Sequence, residues 1–158
     1  VIMAATVTGP WSKGACTQLD ALDIPYEPNP QRPPDADQAA EFAKSARERG
    51  FGVVICAAGM AAHLAGAFAA NTTLPVVGIP MKGGAMDGLD AAGHRADAQR
   101  VPRCDRGAER CQNAAYLAVA ILAVADDALA DKLDAFRADT AAAIAKKDAA
   151  VAAEAAAL

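Results

Sequence analysis

The sequence predicts an α/β fold in which a doubly wound parallel sheet carries helices on both faces. Short apolar runs alternate with longer amphipathic stretches along the chain. The runs FGVVICAAG and LPVVGIP are apolar at almost every position, which is typical of strands buried on both faces of a parallel sheet. A repeated strand–helix order also requires crossover connections, and these place helices over the sheet.

The first half of the chain predicts two strands and two helices. Val1-Ile2-Met3 ends the first strand, and residues 15–22 form an amphipathic helix. A second strand begins at Ile24-Pro25-Tyr26. Apolar side chains recur at helical spacing through residues 37–49, and Gly50 ends that helix.

The second half predicts two buried strands and three helices. The strands cover residues 51–59 and 74–80, with a helix over 60–70 between them. A buried helix spans residues 113–123. We expect residues 1–158 to form a single domain with a long helical extension over 126–158. The tail of that extension is more apolar than a free tail should be, so we expect it to pack on a neighbouring subunit.

Composition excludes several classes of protein. Of the 158 residues 54% are hydrophobic and only 4% aromatic, which suits one domain with an aliphatic core. The net charge of −4 argues against nucleic acid as the main partner. No apolar run approaches the roughly 20 residues of a membrane span, and no signal peptide is visible. The four cysteines are scattered, so we expect a cytoplasmic protein with free thiols.

Residues 59–63 mark the best candidate site. In an open α/β sheet, ligands bind beyond the carboxyl ends of the strands. Gly59 ends a predicted strand, where backbone N–H groups can approach a ligand, and the helix that follows has an N-terminus that favours an anion.

Residues 59–90, GMAAHLAGAFAANTTLPVVGIPMKGGAMDGLD, carry a resemblance to a known family. With NAAYLAVAILAVADDALADKLDAFRAD, QLDALDIPYE and EFAKSARERGFGVVI, they resemble the PurE family, the 5-(carboxyamino)imidazole ribonucleotide mutases of purine biosynthesis. The resemblance covers most of the chain, and its motifs occur in the family's order.

The resemblance implies carboxylate transfer on an aminoimidazole ribonucleotide. Some members move the carboxylate from the exocyclic amine to a ring carbon, and others carboxylate the ring directly from carbon dioxide. The segment KGGAMDGLD and its short distance to NAAYLA slightly favour direct carboxylation. No metal or organic cofactor is implied. The implied architecture is a flavodoxin-like three-layer sandwich, with the C-terminal helix reaching across subunits of a homo-octamer.

The resemblance also implies the residues of the site. His63 is the candidate catalytic residue, although an isolated histidine is more often a hydrogen-bonded core residue. Lys82 and Asp87 bracket a glycine-rich loop, where an exposed ion pair is the alternative interpretation. The candidate substrate-binding residues are Gly59, Met60, Ala61, Ala62, Leu64, Lys82 and Asp87.

Three segments depart from the family pattern. The family loop GSDSDWP is replaced by AATVTGP, and SAHRTP, with its catalytic histidine and phosphate-binding arginine, by QRPPDA. The family segments LLSTVQMP and PVATVA are replaced by GHRADAQRVPRCDRGAERCQ. That replacement puts charged residues where a buried strand should run, at a cost of several kcal/mol for each unpaired charge.

A displaced reading frame accounts for these departures. Synonymous codons for residues 4–11, read after one added base, spell GSDSDWPV. Codons for residues 31–36 spell SAHRTP from their second base, and those from His94 spell TVQMP. The same shift fails at Val101 and Ala108. We interpret windows 4–11, 28–36 and 93–112, which include Ala5, Thr8, Pro33 and Pro34, as out-of-frame versions of family motifs.

Two other functions remain open from sequence. If the residues are literal, the chain is an inactive homologue that serves as an oligomeric scaffold or ligand-binding protein. An unrelated nucleotide-binding module would need a phosphate-binding loop, which the sequence does not contain. The spacing of Cys104 and Cys111 fits no common zinc pattern, so we expect no metal site.

Overall fold

The computed structural model describes residues 2–5, 10–29, 36–58, 63–81 and 111–156. The chain forms two compact units, Val1–Leu122 and Ala123–Leu158. The first unit contains the sheet, and the second contains one long helix.

Four short strands and four helices make up the described part of the first unit. The strands are β1 (Ile2–Ala5), β2 (Glu27–Asn29), β3 (Val54–Ala58) and β4 (Val76–Pro80). The helices are α1 (Pro10–Ala21), α2 (Ala36–Ser45), α3 (His63–Ala69) and α4 (Cys111–Ala123), the last ending one residue into the second unit.

The strands form a parallel sheet in the order β2-β1-β3-β4. Because β1 lies between β2 and β3, the chain reverses its direction of travel across the sheet after β2. This order is that of flavodoxin-like folds, in which the switch point lies between the first and third strands. The structure confirms the predicted doubly wound α/β class.

One face of the sheet packs against α2 and α3. Val54 and Cys56 of β3 join a buried cluster with alanines of α2 and with Phe68 of α3. The rings of Phe42 and Phe68 meet edge to face with centroids 6.0 Å apart, a favourable aromatic geometry. Many contacts in this cluster come from alanines, which let the helices lie close to the strands.

Helices α1 and α4 contact each other elsewhere in the first unit. A Cβ built on Gly14 of α1 would lie 3.6 Å from the Cβ of Cys111. The Tyr116 hydroxyl donates a hydrogen bond to the side-chain oxygen of Gln18. Near the far end of α4, Leu122 fills the space beside Gly52, where a Cβ would overlap its Cδ2 atom.

Both α1 and α2 are followed by a residue in the left-handed region. Gly50 has φ of 83°, and the N–H groups of Gly50 and Phe51 bond to the carbonyls of Arg47 and Ala46, which is a Schellman motif. The helical turn therefore closes at Gly50 as predicted, although the regular helix ends at Ser45, four residues before the predicted end.

The end of α1 corrects the predicted start of the second strand. Asp23 has φ of 53°, and the Ile24 N–H bonds to the Leu19 carbonyl at 2.8 Å. Ile24 therefore belongs to the helix cap, and Pro25 has no N–H to give to a ladder. The strand begins later, at Glu27.

Arg49 contacts both the first residue of β2 and the segment before β3. Its guanidinium carbon lies 5.0 Å from the ring centroids of both Phe42 and Phe51, and its Nη2 lies 2.5 Å from Glu27 Oε2. The ion pair is partly exposed and contributes little alone, so the stacking on two rings is the larger effect.

The second unit is dominated by helix α5 (Asp127–Ala156). Asp126 caps its N-terminus, since its Oδ1 accepts from the N–H groups of Ala128 at 3.0 Å and Leu129 at 3.2 Å. The predicted long C-terminal helix is confirmed. None of the described helices is both long and apolar enough to cross a membrane.

Two glycine-to-alanine substitutions should change stability in opposite directions. Neither Gly50 nor Gly66 has a heavy atom within 4 Å of a built Cβ, but only Gly50 has positive φ. Gly50→Ala should lower the free energy of unfolding by about 1 kcal/mol because of its left-handed backbone. Gly66→Ala, inside α3, should raise it by about 0.5–1 kcal/mol. Urea unfolding followed by circular dichroism measures both, and equal changes would contradict the described backbone at Gly50.

Candidate functional site

The carboxyl ends of β1, β3 and β4 lie side by side at one edge of the sheet. Ala5 pairs with Ala57, and Ala58 pairs with Pro80, so β1, β3 and β4 end at nearly the same level. The switch point between β1 and β3 opens at this edge. In open α/β sheets such a point forms the ligand-binding crevice.

A backbone hydrogen bond joins the ends of β3 and β4. The N–H of Met81 donates to the carbonyl of Ala58 at 2.9 Å, one residue beyond the last paired position of β4. Met81 is buried. Segments 59–62 and 82–90, which carry most of the predicted site residues, therefore depart from two backbone positions that are directly bonded.

The predicted catalytic residue lies at the first position of α3. His63 begins this helix, which follows β3 after four intervening residues. Its backbone therefore lies on the connection leaving the switch-point strand, where sequence reasoning placed it. The side chain of His63 is outside the described part of the structure, and its role stays a prediction.

Leu64 is the one other predicted binding residue within the described part of the chain. Its partly buried side chain packs against the cluster between α2, α3 and the sheet. That position gives Leu64 a packing role, and its contact with substrate stays a prediction. The other predicted residues lie outside the described residues: Gly59, Met60, Ala61, Ala62, Lys82 and Asp87.

Two of the three windows that depart from the family pattern begin at the same edge. Ala5, in the first window, is the last residue of β1, and Asn29, in the second, is the last residue of β2. Thr8, Pro33 and Pro34 lie outside the described residues, as does most of window 93–112. The first two windows thus begin at strand ends that face the predicted crevice.

The described floor of this edge is apolar. Ala57, Ala58, Ile79 and Met81 are all buried at the ends of β3 and β4. Over the ranges that the structure describes, no polar or charged side chain is buried, and no group of three His, Cys, Asp or Glu residues could hold a metal ion. The ends of β3 and β4 thus supply an apolar base with no ionisable side chain of their own.

The thiols of Cys16 and Cys56 are free, as predicted. Burial raises the pKa of the Cys56 thiol in β3, and burial also raises that of Cys111 in α4. Cys16 is half-buried beside Tyr26, whose pKa rises to about 12, chiefly through desolvation and then through its hydrogen bond with Cys16. A raised pKa keeps a thiol protonated and unreactive, so Cys56 and Cys111 suit packing. Cys104 lies outside the described residues.

A polar groove at the opposite edge was missed by sequence reasoning. It lies between the end of α2 and the turn after α3, where Arg47 donates from Nε to Thr73 Oγ1 at 2.8 Å and from Nη2 to the Thr73 carbonyl at 3.3 Å. The two residues are 26 positions apart, and no local pattern links them. The groove faces the edge where β3 and β4 begin, away from the predicted site.

The sheet order and the switch point define an α/β protein of the flavodoxin-like class with its ligand edge beside β1 and β3. Residues 1–143 match the model of the family described as AIR carboxylase. The chain belongs to this family.

Curated relatives of known function cover most of the chain. It is 40% identical over 146 residues to the N5-carboxyaminoimidazole ribonucleotide mutase of Bacillus subtilis, with 89% of each protein covered. The mutase of Pyrococcus abyssi is 35% identical, with 88% of this chain and 81% of that protein covered. The phosphoribosylaminoimidazole carboxylase of Schizosaccharomyces pombe is 38% identical over 78% of this chain, which spans only 23% of that longer protein.

Solved structures share the fold. A PurE2 variant of Treponema denticola aligns with a TM-score of 0.77 at 17% identity and covers 94% of both chains. Treponema denticola PurE aligns with a TM-score of 0.73 at 16% identity, covering 94% of this chain and 95% of that one. These structures support the flavodoxin-like architecture independently of sequence similarity.

Thiol reactivity should separate the half-buried cysteine from the two buried ones. In a Cys104→Ser background, a disulfide reagent at pH 8 should modify Cys16 readily. Cys56 and Cys111 should react only after unfolding, because burial and a raised pKa suppress their thiolate forms. Counting released thiolate by absorbance, before and after denaturant, makes the measurement. Rapid release of more than one equivalent from the folded protein would be inconsistent with the described core.

Proposed function

We propose that this chain forms 4-carboxy-5-aminoimidazole ribonucleotide in de novo purine biosynthesis. The match of residues 1–143 to the AIR carboxylase family carries the proposal. The extent of the similarity to the Bacillus subtilis mutase, 40% identity over 89% of both proteins, favours mutase activity. Direct carboxylation of aminoimidazole ribonucleotide is the alternative reaction, favoured by the sequence of residues 82–90 and by the carboxylase relatives.

The described geometry suits carboxylate transfer. Movement of a carboxylate between nitrogen and carbon requires proton transfer and a pocket that shelters released carbon dioxide from water. The buried apolar ends of β3 and β4 would form a floor that excludes water, and the hydrogen bond from the Met81 N–H to the Ala58 carbonyl joins the ends of these two strands.

The proposal assigns roles to the segments that border the floor. The backbone N–H groups of residues 59–62 would hold an anionic group of the substrate, beside the start of α3. His63 would shape the pocket and move a proton. Lys82 and Asp87 would border the substrate from the neighbouring strand. No metal or organic cofactor is required for these steps.

The proposal includes a cytoplasmic location and a homo-oligomer, with an octamer as the expected assembly. The long helix α5 supports self-association, because most of its surface is exposed in a single chain. Oligomer formation and location follow from the family resemblance and from the predicted free thiols.

An inactive homologue is the second candidate function, and specific residues favour it. QRPPDA stands where the family has the histidine and arginine of SAHRTP, and a chain without these groups lacks a proton carrier and a phosphate ligand. We propose instead that windows 4–11, 28–36 and 93–112 are displaced by one nucleotide from the family motifs.

Peptide mass spectrometry should decide between these two accounts. We expect the protein purified from its natural source to yield peptides containing GSDSDWP and SAHRTP. Peptides reading AATVTGPW and QRPPDA would instead establish the literal residues and leave the inactive homologue. Peptides from residues 111–137, which lie largely outside the windows, serve as the internal control for coverage.

The activity assay should compare two substrates and two variants. We expect turnover of 5-(carboxyamino)imidazole ribonucleotide without added carbon dioxide, or, for a direct carboxylase, turnover of aminoimidazole ribonucleotide that rises with bicarbonate. His63→Asn should lower kcat/KM by about 10²–10⁴, the usual contribution of a proton-transfer group. Lys44→Ala, at the groove on the opposite edge, is the matched control and should retain activity. Absence of turnover with both substrates would refute the enzymatic proposal.

A further inference from the structure

The backbone of β2 gives this strand little hold on the sheet. The strand is three residues long, and among the described strands it lies at the end of the sheet, paired only with β1. Its central residue, Pro28, has no N–H to donate. A short edge strand with few ladder hydrogen bonds opens locally at low cost in free energy. The side-chain contacts of β2 therefore matter for its position.

Arg49 supplies such a contact. Its Nη2 donates to Oε2 of Glu27, the first residue of β2, at 2.5 Å. The guanidinium carbon lies 5.0 Å from the ring centroid of Phe42 in α2 and 5.0 Å from that of Phe51 before β3. Phe42 in turn packs edge to face against Phe68. Because the rings hold the guanidinium plane, less conformational freedom is lost when Arg49 pairs with Glu27.

The elements that Arg49 joins flank one segment of the predicted site. Residues 30–35, which are outside the described part of the chain, connect β2 to α2. Glu27 lies two residues before the end of β2, about 7 Å from it along the strand. Phe42 belongs to α2. Arg49 therefore contacts the element on each side of this connection, which contains most of the QRPPDA sequence that replaces the family motif SAHRTP.

We infer that Arg49 is a positioning residue for the candidate site. By joining β2 to α2, it sets the place of the connection between them, at the edge where the carboxyl ends of the strands lie. Its action is indirect, because it touches Glu27 and the two rings and needs no contact with substrate. The effect on substrate binding rests on the proposed function, whereas the effect on β2 does not.

The planar guanidinium group is the part of Arg49 that this role needs. Lysine carries the same charge, but it cannot lie flat against two rings or present its donors in a fixed plane. The ion pair alone is weak, because the Arg49 and Glu27 side chains are 38% and 46% exposed and water screens their charges. The stacking and the ion pair thus act as one unit, and loss of either should loosen β2.

Hydrogen exchange of the full chain, followed by mass spectrometry on peptides that cover β2, tests this role. Glu27→Gln should raise the exchange rate of the β2 amides, relative to the unfolded peptide, by about two- to fivefold, the range for loss of an exposed ion pair. Arg49→Lys should raise it at least as much, because the stacking is also lost. Since the two residues act as one unit, the double variant should exchange no faster than Arg49→Lys alone.

Arg47→Lys is the matched control. Arg47 lies two residues before Arg49 and is also exposed, but its guanidinium bonds to Thr73 at the groove on the opposite edge. This variant should leave the exchange of β2 unchanged, and β3 should exchange as in the wild type in every variant, because the expected opening is local. Equal effects of Arg47→Lys and Arg49→Lys on β2 would overturn the inference. Faster exchange throughout the chain, or wild-type exchange of β2 in Glu27→Gln, would overturn it too.

Steady-state kinetics tests the link from β2 to the site. A connection that must be ordered before substrate binds affects the ground state and the transition state alike, so KM should rise, by up to the factor seen in exchange, with kcat unchanged. In a chain that turns over neither substrate, the dissociation constant of aminoimidazole ribonucleotide from calorimetry takes the place of KM. Faster exchange of β2 without any change in KM or in that constant would overturn the positioning role. Absence of turnover would instead refute the proposed function, so the two failures are distinguished.

Discussion

The burial of β3 on both faces is the constraint on which the rest of this structure depends. Residues 53–58 are all buried, so their N–H and carbonyl groups must be satisfied by neighbouring strands. Parallel pairing with β1 and β4 does this, and parallel strands require crossover helices that then cover the sheet. The same pairing aligns the carboxyl ends of the strands. The location of the candidate site is thus a consequence of how one apolar strand satisfies its backbone.

Much of the fold is predictable from sequence because its signals are local. The apolar runs that form β3 and β4, and the mainly apolar sequence of α4, can be recognised without tertiary information. The second strand is harder to predict, because the residues before it are compatible both with a strand and with the end of a helix. Ile24 and Pro25 look like the start of a strand, yet the Ile24 N–H is used in ending α1. The placement of Arg49 between two phenylalanines is equally hard to predict from sequence, since Arg49 joins α2, β2 and the segment before β3 only after folding.

The sequence predicts where the candidate site lies better than it predicts which functional groups the site contains. Strand–helix alternation places a crevice at the carboxyl ends of the strands, and family resemblance points to residues 59–63 and 82–87. The ends of β3 and β4 are apolar and have no ionisable group of their own. Leu64 shows that a residue in a family motif need not be a binding residue, because its side chain packs against the core. The Arg47–Thr73 groove depends on residues far apart in sequence, so no pattern could reveal it.

The contact between Leu122 and Gly52 has a consequence for the substitutions that this chain can accommodate. The side chain of Leu122 occupies the volume that any Cβ at position 52 would need, although the two residues lie seventy positions apart. A side chain at position 52 is therefore accommodated only if the end of the Leu122 side chain moves away or the residue at position 122 is shorter. Positions 52 and 122 are thus coupled, and the effect of a substitution at one of them depends on the residue at the other.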